Sequence, residues 1–193
     1  MKRILIISLI VFVLVGCTNK SKDYTVKLYG NTNSENIWSY EIEDNTIVGI
    51  DEEKYSGAEN DNKESYLGGI YTFKVISKKQ GETTIRFNYG KSWENNYKYH
   101  YEVKLRVDNN KRITKVEESG NYLALNKVFE NGKKLELDED YTYEFDDDKK
   151  VDNQDCYILN IKTYDGTIYK NVAITKDLNK IYINNEGVYK IVK

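Results

Sequence analysis

The sequence predicts an all-β protein, a two-sheet antiparallel sandwich followed by a smaller antiparallel meander. Three observations carry this expectation. Apolar residues recur with period two along most of the chain, no stretch keeps helical spacing for three turns, and Asn-, Asp- and Gly-bearing turn signals separate the alternating runs.

Taken in order, Val26 and Leu28 suggest a first strand, Trp38, Tyr40 and Ile42 a second, and residues 46–50 a third. Tyr71, Phe73 and Val75 mark a fourth, and Thr83, Ile85, Phe87 and Tyr89 a fifth. The clearest run is 97–107. Tyr97, Tyr99, Tyr101, Val103, Leu105 and Val107 alternate there with Lys98, His100, Glu102, Lys104 and Arg106. Such a strand has one face in a core and the other in water. Six strands between residues 23 and 108 suit a sandwich, with loops expected at 30–36, 51–67 and 90–96. Trp38, at the start of its strand, is expected in the core.

Asp108-Asn109-Asn110 marks a boundary, after which a second domain is expected over 109–193. Asn131-Gly132 is read as the turn joining strands 122–130 and 133–137, and Asp165-Gly166 as the turn joining 156–164 and 167–174. Both dipeptides favour the positive φ of tight hairpins. Segments 181–183 and 188–192 form a last hairpin across 184–187. The acidic runs Asp138-Glu139-Asp140 and Asp146-Asp147-Asp148 could attract calcium, but their spacing departs from the EF-hand loop and solvated loops are expected.

The chain opens with Lys2 and Arg3, then a run from Ile4 to Val15 that is apolar except for Ser8. A basic end followed by so short an apolar stretch reads as a secretory signal rather than a membrane span. Gly16-Cys17 follows, and the pattern resembles the lipobox of bacterial lipoproteins. That resemblance implies a cleaved signal over 1–16, a lipid on Cys17, a polar tether over 17–22, and a mature protein held on the extracytoplasmic face of the cell membrane. Two acyl chains give stable anchoring where one is marginal.

Losing Lys2 and Arg3 moves the formal charge from −2 to −4. With no basic footprint, nucleic acid is not an expected partner. Cys156 and Cys17 are the only cysteines, so no disulfide framework is available within the chain. Cys156 is expected as a half-buried strand residue rather than a reactive thiol. The single histidine, His100, falls in the other domain, which argues against a Cys–His nucleophile. One histidine among scattered carboxylates also gives no zinc pattern. The expectation is a non-enzyme with no cofactor and no metal.

Three expected loops carry unusual residues. The first reads Asn31-Thr32-Asn33-Ser34-Glu35-Asn36-Ile37-Trp38, the second ends in Gly68-Gly69, and the third holds Tyr89-Gly90-Lys91-Ser92-Trp93. In this order they resemble the chagasin-type (I42 family) inhibitors of papain-like cysteine proteases, whose first loop reads Asn-Pro-Thr-Thr-Gly shortly before a Trp. The family's second loop has a Gly pair and its third Arg-Pro-Trp. Alignment on Trp38 puts Asn31 on the Asn, Thr32 on the Pro, Asn33 and Ser34 on the threonines, and Glu35 on the Gly. Lys91 and Ser92 stand where the family has Arg and Pro. If the position of Glu35 needs positive φ, a glutamate there is strained.

The resemblance covers residues 23–108 and implies an immunoglobulin-like sandwich. It also implies that Asn31, Thr32, Asn33 and Ser34 enter the protease cleft, with Gly68 and Gly69 allowing close backbone approach, Lys91 making a polar contact and Trp93 serving as anchor. Read without it, Gly68-Gly69 is a plain turn and Trp93 folds back on the sheet. The chain would then be an adhesion or envelope-scaffold lipoprotein without inhibitory activity.

Overall fold

The computed structural model describes residues 23–30, 35–57, 69–93, 97–137, 141–163 and 165–192. The signal, Cys17 and the tether lie outside these, as do Asn31, Thr32, Asn33, Ser34 and Gly68 of the first two loops. Strands β1 (Tyr24–Gly30), β2 (Ile37–Ile42), β3 (Val48–Gly57), β4 (Gly69–Ser77), β5 (Gly81–Gly90), β6 (Tyr99–Val107) and β7 (Ile113–Ser119) precede one helix, α1 (Tyr122–Glu130). Then come β8 (Thr142–Val151), β9 (Gln154–Lys162), β10 (Ile168–Thr175), β11 (Ile181–Asn185) and β12 (Val188–Ile191).

The first seven strands make two antiparallel sheets, ordered β1-β4-β3 and β2-β5-β6-β7. Their facing sides hold the apolar half of each alternating run. Phe73 and Val75 on β4, Ile85 and Phe87 on β5, and Val103 and Leu105 on β6 are all fully buried. The rings of Phe73 and Phe87 meet 4.9 Å apart between the sheets. Burying each such side chain stabilises the fold by about 1.5–3 kcal/mol. The outward residues of β5 and β6 form a charged lattice instead, including Arg86 on Glu102 and Arg106 on Glu82. The all-β sandwich expectation therefore holds.

The second half is an open five-stranded meander in the order β12-β11-β10-β9-β8. Its Asp165-Gly166 turn is as expected, with Gly166 at φ 85° and the Asp165 carboxylate accepting from the Thr167 amide at 3.0 Å. The hairpin across 184–187 also forms, with positive φ at Glu186 and Gly187.

Two expectations in this half are corrected. Residues 122–130 are helix α1, not a hairpin strand, and Asn131 has φ −108°, which no I′ turn allows. Tyr122, Ala124, Leu125 and Val128 are its buried residues, a helical spacing that nine residues are too few to display over three turns. The run Asp146-Asp147-Asp148 is not a loop; it lies in β8, where the register with β9 shifts between Asp146 and Lys149. Asp138-Glu139-Asp140 falls outside the described residues.

Strand β7 pairs with β6 past residue 108, so the second sheet continues through Ser119. One cluster of buried residues then runs from the sandwich through Tyr122, Leu125 and Val128 of α1 to Leu159, Ile161, Val172 and Ile174 of the meander. Cys156 is fully buried among Val151, Ile158, Ala173 and Tyr182 on the meander's other face, and burial pushes its thiol pKa up. An inert thiol follows, and the half-burial expected from sequence is exceeded.

Candidate functional site

Strand register fixes where the three loops emerge. Gly30 pairs with Gly69, and Gly69 pairs also with Gly57, so the loop after β1 and the loop before β4 leave one end of the first sheet. In the second sheet Ile37 pairs with Gly90 and Tyr89 with Tyr99, which puts the start of β2 and the β5–β6 loop at one end. Gly30 joins the two ends. A Cβ placed on it would stand 2.9 Å from the rings of both Tyr71 and Tyr89 and 3.2 Å from Trp38 Nε1. The strand ends that flank 31–36, 58–68 and 91–98 thus share one end of the sandwich.

An aromatic layer closes that end from beneath. Trp38 is 3% exposed, and its Nε1 donates to the Tyr29 carbonyl at 2.9 Å. Its ring lies 5.3 Å from that of Tyr89 and 5.4 Å from that of Tyr122. The Tyr29 amide donates to the Tyr122 hydroxyl at 2.6 Å, tying β1 to α1. Burial, and then crowding by neighbouring phenols, raises the pKa of Tyr29 and Tyr99. Burial pushes that of Tyr122 to about 12. Trp38 is thus core, as its alternation indicates.

Above this layer the surface changes character. Trp93 is 67% exposed and does not fold back on the sheet. The Lys91 ammonium stands 5.7 Å from the centre of its ring and 3.4 Å from Glu35 Oε2, so loops one and three are joined by charge. Glu35 itself sits at φ 59°, the left-handed region that the aligned glycine would occupy without strain. The glycine at 69 has an internal reason. A Cβ there would lie 2.4 Å from the Ser56 carbonyl and 2.6 Å from Gly57 Cα, so close pairing of β3 and β4 excludes any side chain.

Of the residues singled out by sequence, Gly69, Lys91 and Trp93 are brought to this end. Ile37, not singled out by the sequence, stands 47% exposed beside these loops, and Tyr97, expected on the core face of its strand, lies before β6 and is 45% exposed. The signal was available, since each is a large apolar residue at the junction of a polar loop and a strand. Among the described residues, no group of three or more His, Cys, Asp or Glu side chains is placed to hold a metal ion.

Residues 18–107 match the family model described as chagasin family peptidase inhibitor I42. Neither curated proteins nor solved structures give a match to the chain. Members of this family inhibit cysteine peptidases rather than catalyse a reaction, on an immunoglobulin-like sandwich. Residues 18–107, which carry every strand of the sandwich but β7, are therefore similar to the chagasin family of peptidase inhibitors.

Proposed function

We propose that the chain is a membrane-anchored, extracytoplasmic inhibitor of papain-like cysteine proteases that closes its target's cleft with the three loops at one end of the sandwich. The observation that carries this reading is the register that gathers those loops, with Trp93 exposed among them. An exposed tryptophan at the same end as the exposed Ile37 and Tyr97 is the kind of anchor that dominates interface energy. Strand ends fixed by a buried aromatic layer are ordered before binding, so more of the contact energy appears as affinity. In this reading residues 31–34 lie over the protease's Cys–His pair and Lys91 makes a polar contact beside Trp93, without the fork that arginine provides.

The test adds residues 23–193 to papain and to cathepsins and measures residual activity. Inhibition at submicromolar concentration that Trp93→Ala weakens supports the reading; full activity at micromolar inhibitor rejects it. The anchor rests on the Gly16-Cys17 pattern after the apolar run. Fatty-acid labelling of the full chain, lost in Cys17→Ser, is its test. Anchoring limits the targets to secreted or surface proteases within a short tether's reach.

A further inference from the structure

Beside the loop end the meander leaves an open cleft of about 250 Å³, lined on the sandwich side by Tyr29, Asn36, Tyr89, Lys98 and Tyr99. Each of these stands within two positions of a strand end that carries a loop. The opposite wall is Thr142, Tyr143 and Glu144 of β8 with Lys162 of β9. The cleft is therefore continuous with the loop end, and residues 142–144 and 162 border it from outside the segment that matches the inhibitor family.

The two walls are fixed to each other. The Tyr99 hydroxyl donates to the Tyr143 carbonyl at 2.5 Å. The Tyr143 ring packs edge-on against Tyr29 at 5.5 Å and against Phe129 of α1 at 5.0 Å. At the rim Lys98 Nζ lies 4.0 Å from Glu144 Oε1, and Lys162 binds the other carboxylate oxygen of Glu144. The floor is tyrosine rings and the rim is charged. A side chain with an apolar stem and a polar tip suits such a site, and the volume suits one side chain rather than a segment.

We propose that β8 and Lys162 form a fourth binding element of the inhibitor, and that this cleft takes a side chain from the rim of the same papain-like protease whose cleft the three loops enter. The proposal rests on the inhibitory reading above and assigns residues 142–144 and 162 a part in choosing among proteases. A rigid wall beside the loops adds contact without further ordering cost, and its charged rim biases which protease surfaces fit.

The experiment measures inhibition of papain by residues 23–193 unaltered and as Thr142→Trp, which fills the cleft, with Trp93→Ala as the loop control. The expected result is an inhibition constant raised tenfold or more by Thr142→Trp at an unchanged thermal midpoint. Hydrogen exchange of the unaltered complex is also expected to slow at residues 142–144 as well as at the loops, a readout independent of any variant's folding. If Trp93→Ala weakens inhibition while Thr142→Trp inhibits like the unaltered chain and exchange slows at the loops alone, the fourth element is overturned and the loop reading stands. An unaltered chain that leaves papain fully active overturns both.

Discussion

Glu35 Oε2 stands 3.4 Å from Lys91 Nζ, so a residue held in the left-handed region is paired across the loop end with the lysine that lies over Trp93. The pair is largely exposed, and such pairs contribute about 0.2–1 kcal/mol. A left-handed non-glycine residue costs about 1–2 kcal/mol. The backbone cost therefore outweighs the ion pair. Glu35→Gly is expected to raise the thermal midpoint by about 1–3 °C in a melting experiment and to leave papain inhibition intact or improved. A lowered midpoint would show that the Lys91 pair decides the conformation of this loop.

The two tryptophans should separate cleanly. Trp93 is exposed, so Trp93→Ala is expected to change stability by less than about 0.5 kcal/mol while weakening inhibition. Trp38 closes the core beneath the loops, and Trp38→Ala is expected to cost about 3–5 kcal/mol in urea unfolding. Stability loss in Trp93→Ala comparable to that in Trp38→Ala would contradict the assignment of one to the interface and the other to the core.

Gly69→Ala forces a Cβ into the Ser56 carbonyl. Backbone cannot retreat as a flexible side chain can, so β3 and β4 must separate at the loop end. The expected loss is about 1–3 kcal/mol by denaturant midpoint, as for other overpacked sites. Unchanged stability would place the need for glycine at 69 outside the strand pairing.

The buried phenols give a pH prediction. Burial raises the Tyr122 and Tyr71 pKa to about 12 from an ordinary value near 10, because the phenolate cannot be solvated there. A raised folded-state value contributes stability that is fully present below pH 10 and is lost as pH rises toward 12. The measurement is a spectrophotometric titration of the folded chain's tyrosines into alkaline pH. The Tyr29, Tyr99 and Tyr122 group should ionise only together with unfolding. Smooth titration of all tyrosines near 10 in the folded chain would refute the buried aromatic layer.

The family match ends at residue 107, but the core does not. A chain cut at residue 108 loses β7, α1 and the Tyr122 ring against which Trp38, Tyr99 and Tyr101 pack. Residues 23–108 are expected to be poorly soluble or partly unfolded by circular dichroism, whereas 23–193 should melt in one transition. A stable, cooperative 23–108 fragment would show that the sandwich needs no support from the meander.

Period-two alternation was sufficient to place β4, β5 and β6 and to name their inward residues, except for Tyr97, which precedes β6 and is exposed, because strand side chains face alternate sides whatever the sheet packs against. It also identified Trp38 as core. The same local rules misread residues 122–130, where a nine-residue helix shares short-range apolar content with a strand and Asn131-Gly132 imitates a hairpin turn. They passed over β7 too, since six of its seven residues are exposed and show no alternation. Convergence of the strand ends that flank the three loops, the pairing of Glu35 with Lys91 and the cleft between Lys98 and Glu144 depend on register between strands far apart in sequence. Only the tertiary structure decides these, because each is set by which strands pair and how two sheets and a meander share one core. No residue's own preference fixes them.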